Sequence, residues 1–242
     1  MSLLLFSDYY EDILETIATW RIIDLKRLMI VIEYPYSYQA FAKRIKRLEE
    51  LGYIKSFFCQ KFRKYLYLTS IGLNETSIHL SNAISDENIR HDIVVSNALQ
   101  ALLKMKSIIK GGVNHAVKTF NNYKPDAWVL GKTLSDNNFE LAVEVELTQK
   151  SQSRIEKKME LFYDLPDNHY VLYLFQKPSI FEVYKKTLQF LDNRPYMKYE
   201  RPLSKIVMMV IDPTIKDYEF SLIDANVFFN NEIKKLGDII NV

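Results

Sequence analysis

The chain has 242 residues, enough for one large domain or two small ones, and with 48% hydrophobic and 26% charged residues it has the composition of an ordinary globular protein. Its single cysteine, Cys59, excludes a disulfide framework within one chain and a cysteine-rich zinc site, and no apolar run nears the roughly 18 to 20 residues of a bilayer span. The net charge of +2 decides nothing as a total, but the basic residues gather in the first third.

The opening MSLLLF is too short for a signal peptide and lacks a basic flank, so a cytoplasmic location without membrane attachment is expected. From about residue 8 to 20, Tyr9, Ile13, Leu14 and Ile17 recur at helical spacing with acidic residues opposite. Asp24 is placed to cap a second helix carrying Leu25, Leu28 and Met29. After a turn over 33–36, Ser37 caps a third helix. Its buried stripe is Tyr38, Phe41, Ala42, Ile45 and Leu48, and its remaining surface is Lys43, Arg44, Lys46 and Arg47. Gly52 follows as a left-handed cap.

Two short strands, 53–58 and 65–69, flank a basic turn at Lys61, Arg63 and Lys64. The aromatics Tyr34, Tyr36, Phe57, Phe58, Tyr65 and Tyr67 read as a small core in preference to a base-stacking surface. Three helices, the last basic, and a basic-tipped hairpin make a winged helix-turn-helix over 1–80. The seven basic positions, Lys43, Arg44, Lys46, Arg47, Lys61, Arg63 and Lys64, are its DNA-binding candidates, since cations along one face release counterions from duplex DNA.

A polar connector at 81–87 separates this head from a second domain over 86–242. A long helix from 87 to 105 opens that domain, with Ile89, Ile93, Val94, Ala98, Leu102 and Met105 on one side, widened by Val95, Leu99 and Leu103. His91-Asp92, near its start, lacks the further His and Asp ligands of a metal phosphohydrolase and reads as a hydrogen-bonding element. After Gly111-Gly112 a short segment over 116–120 is expected.

Residues 124–150, KPDAWVLGKTLSDNNFELAVEVELTQK, then read as two strands joined by a polar turn. In the second, Phe139, Leu141, Val143, Val145 and Leu147 alternate with Glu140, Ala142, Glu144, Glu146 and Thr148. Period-two alternation sets Glu144 and Glu146 on one sheet face, about 6–7 Å apart. Like charges that close need a cation or water, and a hard divalent metal between Asp126 and Glu144 would serve. A strand with one wet face produces the same alternation with no chemistry behind it.

Ser151 or Ser153 opens a helix with Ile155, Met159 and Phe162 inward and Lys157 and Lys158 beside them. YVLYLF at 170–175 and KIVMMVI at 205–211 read as strands buried on both faces, with a helix at 180–191 between them. An edge strand at 218–223 and a helical tail complete the expected order. No glycine-rich phosphate loop, nucleophile motif or paired-histidine site supports a small-molecule enzyme.

RIKRLEELGYI…YLYLTSIG resembles the winged-helix regulators of bacteria, in which the third helix enters the major groove and the wing touches phosphates. The order from about 86 to 175, with Pro125-Asp126 and Glu144-Val145-Glu146, resembles the PD-(D/E)xK nuclease-like fold. The fold class implied is α/β (α+β): a winged helix-turn-helix followed by a restriction-endonuclease-like αβββαβ domain. The resemblance implies Mg²⁺ held by Asp126 and Glu144, with Asp126, Glu144, Glu146 and Lys150 as the catalytic set. Glu146 stands where that family's motif has lysine, as an acidic residue does in some members of the superfamily, and Lys150, or Lys157 and Lys158 on the next helix, could supply a positive charge from a shifted position.

The combination of a winged helix, RHD, PDAWVL, VEVELTQKS and a lysine-bearing helix looks like the replication-relaxation family of plasmids and other mobile elements. It implies an accessory protein of replication, mobilisation or transposition that binds double-stranded DNA, with a homodimer and other replication or mobilisation proteins as expected partners. The alternative is a non-catalytic transcription or replication regulator whose second domain serves dimerisation or partner binding.

Overall fold

The computed structural model describes residues 9–59, 63–78, 83–113, 124–133, 135–162, 165–193, 204–211, 222 and 224–240. Two compact units result, Met1–Ser96 and Asn97–Val242. The connector expected at 81–87 lies partly outside the described residues, and the division between the units falls within helix α5 (Ile89–Leu102).

The first unit runs α1 (Tyr10–Trp20), β1 (Ile22–Asp24), α2 (Leu25–Val31), α3 (Tyr38–Glu50), β2 (Ile54–Cys59), β3 (Arg63–Leu68) and α4 (Ser70–Asn74). Asp24 caps α2 by accepting from the amides of Lys26 and Arg27, and the Ser37 hydroxyl caps α3 by accepting from Ala40 N at 3.3 Å. Gly52 ends α3 at φ +78°, a conformation in which a Cβ is strained. Phe41, Ile45 and Leu48 bury one side of α3 against Ile13, Leu14, Ile17, Leu28 and Leu66.

Two local expectations for this unit are corrected. Tyr38 is 44% exposed and not part of the buried stripe, because it sits in the first turn of α3, ahead of the core. Strand β1 was not foreseen; it is only three residues long and pairs with β3 to close a three-stranded sheet of order β1-β3-β2. The aromatics divide: Tyr34, Tyr65 and Tyr67 are buried, whereas Tyr36 and Phe58 are exposed.

In the second unit, the rest of α5 is followed by β4 (Ile108–Val113), β5 (Ala127–Lys132), β6 (Asn138–Glu146), α6 (Gln152–Glu160), β7 (His169–Phe175), α7 (Pro178–Asp192), β8 (Ile206–Val210), β9 (Asn226–Phe229), β10 (Glu232–Lys235) and α8 (Leu236–Ile240). The strands form one mixed sheet of order β10-β9-β8-β7-β6-β5-β4. β4, β5 and β6 are antiparallel neighbours, whereas β6, β7 and β8 are parallel and joined through α6 and α7. A mixed α/β architecture is thus established for the chain.

Gly111-Gly112 lies inside β4, a strand not among the expected elements. A Cβ on Gly111 would stand 2.6 Å from the Trp128 carbonyl oxygen, so the glycine permits close approach of two strands. The C-terminal tail is not simply helical either. The β9–β10 hairpin precedes α8, turning through Asn230 and Asn231 at φ 50° and 62°, the geometry that asparagine tolerates best after glycine. The segments expected at 116–120 and most of 218–223 fall outside the described residues.

Ala142, Val171, Tyr173 and Phe175 on one sheet face pack beneath Ile155, Met159 and Phe162 of the α6 region and Ile180, Tyr184 and Leu188 of α7. That face carries the site.

Candidate functional site

Strand parity and sheet order fix the position of the acidic residues. On β6 the even-numbered side chains share the face of Ala142, and β6 lies between β5 and β7 under the two helices. Glu144 and Glu146 are therefore almost fully enclosed, at 3% and 4% exposure. This removes the wet-face explanation of the alternation, because the charges are not in water.

Asp126 directly precedes β5, whose register pairs Ala127 with Val143 and so sets Asp126 beside Glu144. Its Oδ2 accepts from the Val145 amide at 2.9 Å, which ties the start of β5 to β6 between the two glutamates. The Asp126 carboxylate is half-buried.

The cation that meets these charges comes from α6. Its apolar residues Ile155 and Met159 face the sheet, and Lys158, one residue before Met159, turns its stem beneath the helix. Lys158 Nζ donates to Glu144 Oε2 and lies 3.5 Å from Glu146 Oε1. Burial alone would lower its pKa, but the Glu144 carboxylate outweighs this, helped by Glu146 and Asp126, and holds the ammonium above the ordinary lysine range.

Lys150, the expected charge donor, is more distant and more exposed, 3.9 Å from Glu146 Oε2. Lys157 points to solvent. The three lysines between which the sequence left the role open are thus separated by geometry, and Lys158 is the one in contact.

Two tyrosines floor the site. Parallel pairing sets Tyr173 of β7 opposite Glu144, and Lys158 Nζ lies 5.7 Å from its ring centre. Burial first, then the charge of Glu144, pushes the Tyr173 hydroxyl well above the usual tyrosine range. Tyr184 of α7 is raised likewise, by burial and by the Glu146 carboxylate to which it is hydrogen bonded. Both remain neutral at any physiological pH. The sequence places Tyr173 in an apolar strand and does not single it out beside the glutamates; its position two residues before Phe175, on the odd-numbered face of β7, was the available signal.

The donor set is made of carboxylate oxygens, which suits a hard divalent cation, and Asp126 and Glu144 flank one point on adjacent strands. Among the described residues no group of three or more His, Cys, Asp or Glu side chains is arranged to hold a metal ion, and Lys158 supplies the positive charge on Glu144.

The basic positions of the first unit are not equivalent. Lys43, Lys46 and Arg47 are exposed on α3. Arg44 instead donates from Nε to the Tyr34 hydroxyl at 2.7 Å and lies over the rings of Tyr10 and Tyr34. Lys46 and Arg47 approach Glu50 at 3.9 and 3.8 Å, and Lys64 pairs with Glu49 at 2.7 Å. Arg63 opens β3, and Lys61 lies outside the described residues.

Asp92 is a separate acidic focus, in the first unit. Arg21, at φ 64° just after α1, donates from Nε to its Oδ2 at 2.7 Å, and His91 Nδ1 lies 3.1 Å from Oδ1. The pair His91-Asp92 thus serves hydrogen bonding within the first unit.

Comparison of the chain with protein-family models, with curated proteins and with solved structures returns no match. No helix among the described residues is long and apolar enough to cross a membrane.

Proposed function

We propose that this chain is a DNA-binding protein of the replication-relaxation type, an accessory factor of a mobile element, whose first unit is a winged helix-turn-helix and whose second unit is a PD-(D/E)xK-type nuclease. The order α1, α2, α3 and the β2–β3 hairpin supports the winged-helix reading, and α5-β4-β5-β6-α6-β7 supports the nuclease reading. The observation that carries the proposal is the convergence of Asp126, Glu144, Glu146 and Lys158 at one point of the sheet. Asp126 and Glu144 would hold Mg²⁺, which when bound acidifies a water for attack on a phosphodiester. Lys158, not Lys150, takes the place of the lysine that Glu146 displaces, holding a fixed positive charge where the scissile phosphate enters. Tyr184 steadies Glu146 by its hydrogen bond.

The test is nicking of supercoiled plasmid by the full chain in Mg²⁺ or Mn²⁺. Asp126→Ala is expected to abolish nicking while duplex binding persists; equal nicking by the variant refutes the assignment.

One observation favours a second reading. The Lys158 ammonium rests on the Glu144 carboxylate and meets its charge. On that reading the second unit keeps only the nuclease shape and serves a regulator's homodimer or partner. Sequence-specific duplex binding with no metal uptake and no nicking is its signature.

A further inference from the structure

The charge balance along α3 is uneven, and the unevenness points to which side chains read a DNA sequence. Towards the C-terminal end, Lys46 and Arg47 both lie near Glu50, and Glu49 takes Lys64 of β3. Arg44 is drawn back onto Tyr34 and Tyr10. The first two turns differ. Gln39 and Lys43, four residues apart and so on one face of the helix, are both exposed and away from the buried Phe41, Ile45 and Leu48. Lys43 forms no ion pair, and Gln39 no side-chain hydrogen bond, among the described residues. Tyr36 and Tyr38, 59% and 44% exposed, flank this start, and no acidic side chain lies between residues 34 and 48.

We propose that Gln39 and Lys43 are the base-reading residues of this protein and that its partner is a duplex carrying adenine and guanine at neighbouring positions. A glutamine amide offers one donor and one acceptor, matching N7 and N6 of adenine in the major groove, and a lysine ammonium matches the O6 and N7 acceptors of guanine. Two side chains one helical turn apart span about 5–6 Å, so the two bases are adjacent or one step removed. Lys46 and Arg47, shared with Glu50, contribute phosphate attraction without sequence discrimination. The inference rests on the DNA-binding reading above.

The experiment is selection from a randomised duplex pool by the full chain, repeated with Gln39→Ala, Lys43→Ala and Lys46→Ala, with affinities then measured against salt. Both Gln39 and Lys43 are exposed, and circular dichroism checks that each variant is folded. Wild-type protein is expected to enrich a motif with an adenine that Gln39→Ala no longer selects, at a loss of about 5- to 150-fold in discrimination and an unchanged salt slope. Lys43→Ala is expected to lose a guanine in the same motif, and Lys46→Ala to keep the motif while weakening all sequences alike. Enrichment of the same motif by Gln39→Ala and Lys43→Ala overturns the inference and leaves DNA binding standing. Duplex binding without any enriched motif also overturns it. Absence of duplex binding, with single-stranded nucleic acid or protein captured instead, overturns this inference and the DNA-binding reading together.

Discussion

The ammonium of Lys158, carried by a helix, rests on the carboxylate of Glu144, carried by the strand before it. Glu144 is 3% exposed and Glu146 4%, so Lys158 stabilises two charges that water cannot reach. Removing one partner of such a buried group leaves an uncompensated charge, which costs roughly 3–5 kcal/mol. Lys158→Ala is therefore expected to lower unfolding free energy by about that amount in urea denaturation. Lys150→Ala, whose side chain is 39% exposed at 3.9 Å from Glu146, is expected to cost less than about 1 kcal/mol. Equal losses for the two variants would show that Lys158 is not the balancing charge.

Alkaline pH should attack the same region. Lys158 is held above its ordinary range, so its contribution is complete below the unfolded pKa of about 10.4 and is lost as pH rises through the folded value. Tyr173 and Tyr184 are also raised; above about pH 10 the unfolded chain ionises them while the folded chain does not. All three shifts have the same sign. Stability measured from pH 8 to 11 is expected to decline above pH 10, and Tyr184→Phe to shrink the slope. A profile that stays flat through pH 11 in wild-type protein contradicts the raised values.

On the acid side, burial, with a smaller effect from Lys205, holds His169 below its ordinary range against the opposing pull of Glu140. Its contribution is present above the unfolded value of about 6.5 and is lost as pH falls through the lowered folded value. His169→Gln is expected to flatten the stability profile between pH 7 and 5. An unchanged slope there would show that His169 is not held neutral.

Much of the site was written in local patterns. The alternation from Phe139 to Glu146 placed both glutamates on one face, and the spacing of Ile155, Met159 and Phe162 oriented α6. Whether that face is wet depends on which strands flank β6 and which helices cover it, and those are contacts between distant segments. The choice among Lys150, Lys157 and Lys158 has the same character. Lys158 reaches Glu144 because Met159, its neighbour, is anchored in the core at 0% exposure. Strand β4 is not legible locally because a glycine pair disfavours a strand, and only the close approach of Trp128 accounts for it. The β9–β10 hairpin has a local signal in Asn230-Asn231, whose side chains tolerate the positive φ of its turn.

The glycines offer a stability test independent of charge. Gly52 has open space around its Cβ position but φ +78°, so Gly52→Ala carries the left-handed cost alone, about 1–2 kcal/mol. Gly111→Ala places a methyl group 2.6 Å from a backbone oxygen and 2.7 Å from Val129 Cγ1, which neither strand relieves without shifting. Its loss is expected to exceed that of Gly52→Ala in thermal unfolding. The reverse order would mean that β4 is not packed as closely against β5 as the register requires.

The nuclease reading turns on whether the carboxylates at the start of β5 and within β6 accept a divalent ion in the presence of their lysine. Anomalous diffraction from crystals of the full chain soaked in Mn²⁺ measures this directly. A single Mn²⁺ peak bounded by Asp126 and Glu144, absent from Asp126→Ala crystals, is the predicted result. A site that stays empty at high Mn²⁺ while Lys158 keeps hold of Glu144, or a peak elsewhere, would contradict it.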